Sequence, residues 1–115
     1  MQMAIWILLG VLAVTFLIVG YGKLSGARSY HFAFIRWRLP DWFRLFTGVV
    51  ETLGAILLLI GFWSATSALF GAALICLVCI GGILVHLRAR DSTEDMVPIL
   101  VLSLLTIILI LLLLL

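Results

Sequence analysis

Four long apolar segments, almost free of charge, dictate what this 115-residue chain can fold into. They run from about Met3 to Tyr21, Leu45 to Phe62, Ser67 to Leu87 and Met96 to Leu115. Each approaches the roughly 20 residues needed to cross a bilayer core. Their continuous apolarity lacks the alternation of a barrel strand, so only helices remain as the spanning form. All seven basic residues (Lys23, Arg28, Arg36, Arg38, Arg44, Arg88 and Arg90) fall in two short stretches between these segments. Glu51 is the only charge well inside an apolar run, and a carboxylate at that depth is costly enough to mark a functional candidate.

The composition agrees. Hydrophobic residues make up 66% of the chain and charged residues 10%, against about 25% charged in a soluble domain. Too few polar side chains exist to cover a water-facing surface, so the exterior faces lipid. The expectation is one transmembrane domain over 1–115: an all-α, integral membrane four-helix bundle. Short connections imply antiparallel, up-down order. The first segment has no cationic stretch before its apolar core and reads as a retained helix, not a cleaved signal peptide.

With four spans at 3–21, 45–62, 67–87 and 96–115, the loops 22–44 and 88–95 share one side of the membrane. Lysines and arginines number seven on that side and none on the other. The positive-inside rule makes those loops cytoplasmic and puts both termini outside. Trp6 and Trp63 fall at the expected outer interface, Trp37 and Trp42 at the inner one. The stretch from Ser29 to Phe43 shows no clean helical stripe. It is expected to lie along the inner interface, an anchoring segment in preference to a binding lid, with Pro40 turning the chain into the second span. The basic residues suit lipid headgroups, and nothing speaks for nucleic acid. The run from Ile107 to Leu115 reads as lipid-facing helix without chemistry, and Ser103 and Thr106 can bond their own helix carbonyls.

Helical spacing places Arg44, Thr47, Gly48, Glu51, Gly54 and Ala55 on one stripe of the second span. Small residues there admit a neighbouring helix, so Glu51 points into the bundle. It lies two turns from Arg44, roughly 10 Å below the inner interface. His86 shares a stripe with Cys79 and Gly82 near the cytoplasmic end of the third span. Lys23 closes the first span, with Tyr21 close by. Lys23, Glu51 and His86, with Tyr21 and Arg44 nearby, can form one polar cluster in which Lys23 or Arg44 supports the charged carboxylate. Two readings stand. The cluster binds a small lipophilic substrate or relays protons through His86, or Glu51 and Lys23 simply fix helix register.

A metal site is not expected, because one histidine and one carboxylate supply too few ligands. His31 reads as an interfacial loop residue. Cys76 and Cys79 form a C-x-x-C, usually a redox signal. Here the pair sits in an apolar helix, where burial makes thiols inert, and it has no exchange partner of the kind vitamin K epoxide reductase-type enzymes use. Packing is the better reading.

Several of these elements together resemble the DoxX-like family of small four-helix membrane proteins. The matching parts are Gly22-Lys23-Leu24 closing the first helix, Leu39-Pro40 before the second, the stretch from Gly48 through Glu51 and Gly54 to Leu57, and His86 ending the third. Together they cover roughly residues 10 to 100. The resemblance implies a bacterial inner-membrane protein, of the kind found as a subunit of a quinone-linked sulfur oxidoreductase or as a membrane assembly factor. Lys23, Glu51 and His86 are the residues that match family positions.

The leading expectation is therefore an accessory membrane subunit of a redox system rather than a stand-alone enzyme. No cofactor motif lies in the chain; a quinone is the cofactor the resemblance allows, with a redox enzyme subunit as partner. The alternative is a membrane chaperone or interaction protein that recognises a client's transmembrane helices. Homo-oligomerisation would suit a bundle this small, though no interface is legible. A small proton-coupled transporter is less favoured. Transporters of the small multidrug-resistance type carry their carboxylate in the first helix, and dual topology needs a weak charge bias.

Overall fold

The computed structural model describes residues 1–115 and contains five helices and no strand. They are α1 (Gln2–Ser25), α2 (Arg28–Arg36), α3 (Asp41–Ile60), α4 (Ala65–Arg88) and α5 (Thr93–Leu114). Four of them, α1, α3, α4 and α5, are long and apolar enough to cross a membrane. These spans start up to four residues before the apolar windows of the sequence, because a helix runs to its cap rather than to its last apolar residue. Ser64 accepts from the Ser67 N–H ahead of α4, and Ser92 accepts from the Asp95 N–H ahead of α5. Asp41 opens α3, where its charge suits the helix dipole.

The interfacial stretch, expected to lack a clean stripe, holds a short helix. Its packed residues do share one helical face, Tyr30, Ala33, Phe34 and Trp37, but the equally apolar Phe32 and Ile35 on the exposed face obscure that stripe. Its boundaries come from backbone turns. Gly26 is left-handed at φ 77°, and the Ala27 N–H closes back on the Gly22 carbonyl. At the other end Arg38 is left-handed at φ 60°, and the Leu39 N–H bonds the Phe34 carbonyl. The end of α4 repeats this device, with Arg90 at φ 56° and the Asp91 N–H on the His86 carbonyl. Such six-to-one closures finish a helix sharply and usually employ glycine.

Small residues set the distances between spans. A Cβ added at Gly20 would lie 3.1 Å from the Gly48 carbonyl oxygen, and one at Gly71 would lie 2.9 Å from that of Gly54. Helix α3 is thus clasped by α1 on one side and α4 on the other, the close approach that small-residue packing permits in lipid. Its buried residues are Arg44, Gly48, Glu51, Gly54, Ala55 and Leu58. That is the stripe expected from sequence, with Leu58 added and Thr47 half-buried. Leu9, Leu12 and Phe16 of α1 fill the centre with Leu58, Ile75 and Leu109.

One expectation fails at α5. Part of its leucine-rich end packs inward: Leu109 is fully buried, and Ile110, Leu112 and Leu113 lean on the core. A uniform Leu/Ile run hides which face is packed. Ser103 and Thr106 do bond the Ile99 and Leu102 carbonyls of their own helix.

Candidate functional site

At the basic end of the bundle the spans enclose a cleft of about 510 Å³. Toward the opposite end α3 and α4 are in close contact at Gly61 with Ala68 and at Gly54 with Gly71. From Glu51 and Leu74 onward, toward the basic end, α3 and α4 side chains line the cleft. Phe16, Val19 and Lys23 of α1 form one wall, and Pro98, Ile99 and Leu102 of α5 another. Tyr30 and Phe34 of α2, with Trp37 just beyond it, complete the lining. Two lining residues are also strongly exposed, Phe46 at 56% and Leu77 at 64%. The cleft therefore opens sideways between α3 and α4, onto the apolar exterior.

Its polar groups fall into two sets. In the first, the Lys23 ammonium donates to Glu51 Oε1, and Glu51 is only 1% exposed. The Gly20–Gly48 crossing makes this contact, since it brings the last turns of α1 against α3 at the depth of Glu51. The Phe34 ring lies 5.5 Å from the Lys23 nitrogen. Tyr30 packs against Gly22, where a Cβ would sit 2.6 Å from the ring. Burial, and secondly the charge of Glu51, hold the Tyr30 phenol above its ordinary range.

The second set centres on Asp91, whose side chain is 2% exposed. Asp91 Oδ2 lies 2.6 Å from His86 Nδ1 and accepts from the Trp37 indole N–H at 3.1 Å. Asp91 Oδ1 accepts from Arg36 at 2.7 Å. Burial alone would raise this carboxyl. The three donors and the Arg36 charge outweigh that and hold it below the usual aspartate range. The Trp37 and His86 rings meet edge-on at 5.2 Å. A carboxylate at Nδ1 fixes the imidazole orientation and leaves Nε2 as the nitrogen free to exchange a proton.

The DoxX-like family model matches residues 7–109, a span that contains every residue of the cleft and both polar sets. The chain belongs to the DoxX-like family. No curated protein and no solved structure gives a significant match to it. With four apolar spans, this DoxX-like chain is a multi-pass membrane protein.

Of the five residues singled out from sequence, Lys23, Glu51 and His86 line one cleft of this DoxX-like bundle. Arg44 does not join them. Its guanidinium holds both oxygens of Asp41 at 3.0 Å and donates to the Lys23 main-chain carbonyl. It thereby ties the end of α1 to the start of α3, and of the two cations considered for Glu51 only Lys23 reaches it. Tyr21 is 73% exposed and turned away from the cleft. Cys76 is half-buried and Cys79 buried; both are free thiols, and neither lines the cleft. His31 stands outside it, 3.5 Å from Asp41 on the exposed face of α2.

Asp91 and Tyr30 are site residues that sequence reasoning misses. The only hint for Asp91 is a lone carboxylate five residues after His86, and pairing at that spacing depends on the left-handed turn at Arg90. Tyr30 falls on one helical stripe with Phe34 and Trp37, but Phe32 and Ile35 on the exposed face mask that stripe among aromatics and aliphatics alike.

Proposed function

We propose that this DoxX-like protein is an accessory membrane subunit of a quinone-linked redox system, and that the cleft holds the quinone. The observation that carries the reading is the cleft itself: mostly apolar walls, open toward lipid, with a few polar groups gathered at one end. Ligand sites commonly have this composition. A quinone needs flat apolar enclosure for its ring and tail and hydrogen-bond donors for its two carbonyl oxygens. Lys23, Tyr30 and His86 are donors lining the cleft, while the Trp37 and Thr47 donors there are spent on Asp91 and the Arg44 carbonyl. When bound, such a group supplies two-electron, two-proton redox chemistry that no side chain here provides. The chain's own part is to hold the ring and to move protons: His86 exchanges one at Nε2 while Asp91 steadies its other nitrogen. Electrons come from a partner enzyme. The protein resides in the bacterial inner membrane, with the basic loops on the cytoplasmic side.

The test is gentle purification from the native membrane, with mass spectrometry of co-purifying proteins and extractable lipids. A stoichiometric redox enzyme and a bound quinone are the expected result. Gly81 lines the cleft, and a Cβ added there would meet nothing within 4 Å. Gly81→Leu should therefore empty the cleft of quinone without disturbing helix packing. A quinone that survives Gly81→Leu, or a preparation with phospholipid alone, rules the reading out. A varied set of membrane proteins in place of one redox enzyme would favour a chaperone.

A further inference from the structure

A second hollow, of about 290 Å³, lies at the same end of the bundle and has a different chemistry. Its lining is Arg36, Trp37, Arg38, Arg88 and Ala89. Three arginines, at or just beyond the ends of two separate helices, α2 and α4, thus line one small space. Within the chain they have a single carboxylate among them. That carboxylate is Asp91, which takes Arg36 and is also engaged by His86 and Trp37. All the ion pairs of the protein leave Arg38 and Arg88 without an acid.

Like charges brought together repel, and here Asp91 compensates only Arg36. An anion would neutralise the remaining pair. Guanidinium forks bind phosphate oxygens in pairs and hold them at fixed geometry. The level in the membrane also fits. Arg88 is the last residue of a span, and Trp37 is an amphipathic ring of the kind that settles among headgroups. Trp37 lines both the hollow and the apolar cleft, so a phosphate here would sit beside lipid-facing surface and not in open water.

We propose that Arg38 and Arg88, with Arg36 alongside, form a binding site for the phosphate of an anionic phospholipid headgroup. The site stands independently of what fills the apolar cleft. Arg90 supplies an internal control. It carries the same charge, has the same left-handed backbone, and lies outside the hollow.

The experiment is native mass spectrometry of the full chain released from micelles containing either phosphatidylglycerol or phosphatidylcholine. One phosphatidylglycerol should be retained and phosphatidylcholine should not. Arg38→Gln and Arg88→Gln should each weaken retention about tenfold, the scale of one charge-assisted hydrogen bond, and Arg90→Gln should leave it unchanged. Arg88→Lys, which keeps the charge and loses the fork, should fall between and serves if a glutamine variant does not fold. Equal losses in all three glutamine variants would reduce the effect to diffuse surface charge and overturn the proposal. So would equal retention of the two lipids. Displacement of phosphatidylglycerol by an equal concentration of inorganic phosphate would overturn the lipid assignment.

Discussion

The Lys23–Glu51 pair shows how much one contact settles about its neighbours. A buried carboxylate with a direct cationic partner is a different object from an isolated one, because removing either partner strands a charge in an apolar medium. Lys23→Met alone is therefore expected to destabilise the bundle by about 3 kcal/mol. Combining it with Glu51→Gln should recover most of that loss, since the double variant strands no charge. Melting temperatures in one detergent for the two singles and the double measure the coupling, and additive losses would show that the pair is not an energetic unit. The inward direction of Glu51 is legible from its stripe of small residues. Which cation it takes is not, because Lys23 and Arg44 both lie within reach at the level of sequence. Only the crossing at Gly20 and Gly48 selects Lys23, and only the position of Asp41 removes Arg44 from contention.

At the scale of elements, α2 is the helix not expected from sequence, and it contributes Tyr30 and Phe34 to the cleft. It is held to the α4–α5 connection chiefly through Asp91, which takes Arg36 and Trp37 from one side and His86 from the other. Because the Asp91 carboxyl is held below its usual range, its contribution is full above the ordinary aspartate value and is lost as pH falls through the lowered one. The junction should stay intact at neutral and mildly acidic pH and give way only below about pH 4. Trp37 fluorescence, read in a variant with Trp6, Trp42 and Trp63 replaced by phenylalanine, reports this directly. Asp91→Asn should abolish the acid step and loosen α2 at every pH. A transition near neutrality in the parent would assign control of α2 to another group. The four spans, by contrast, are legible from their length and apolarity alone. Their ends are not, because caps such as Ser64 and Ser92 lie outside the apolar windows.

Taken as a whole molecule, the chain concentrates everything chemical at one end: the ion pair, the Asp91 junction, both hollows and all seven basic residues. The other end is packed tight by Gly54, Gly61, Ala68 and Gly71. The proposed orientation predicts that Ser29→Cys reacts with a membrane-impermeant thiol reagent only after cells are opened, while Thr66→Cys reacts in intact cells. The reverse pattern would invert the protein in the membrane.

The sideways opening past Phe46 and Leu77 changes how occupancy of the cleft has to be counted. A molecule that enters from the bilayer competes with lipid tails and not with water, so its driving concentration is a mole fraction in the membrane. Removing the ligand's own apolar surface from water contributes nothing extra, since the ligand left water when it joined the bilayer. What remains to discriminate one ligand from another is fit against the walls and the few donors at the basic end. Titrations against total aqueous ligand would then drift with the amount of lipid present, whereas those expressed per lipid molecule would superimpose.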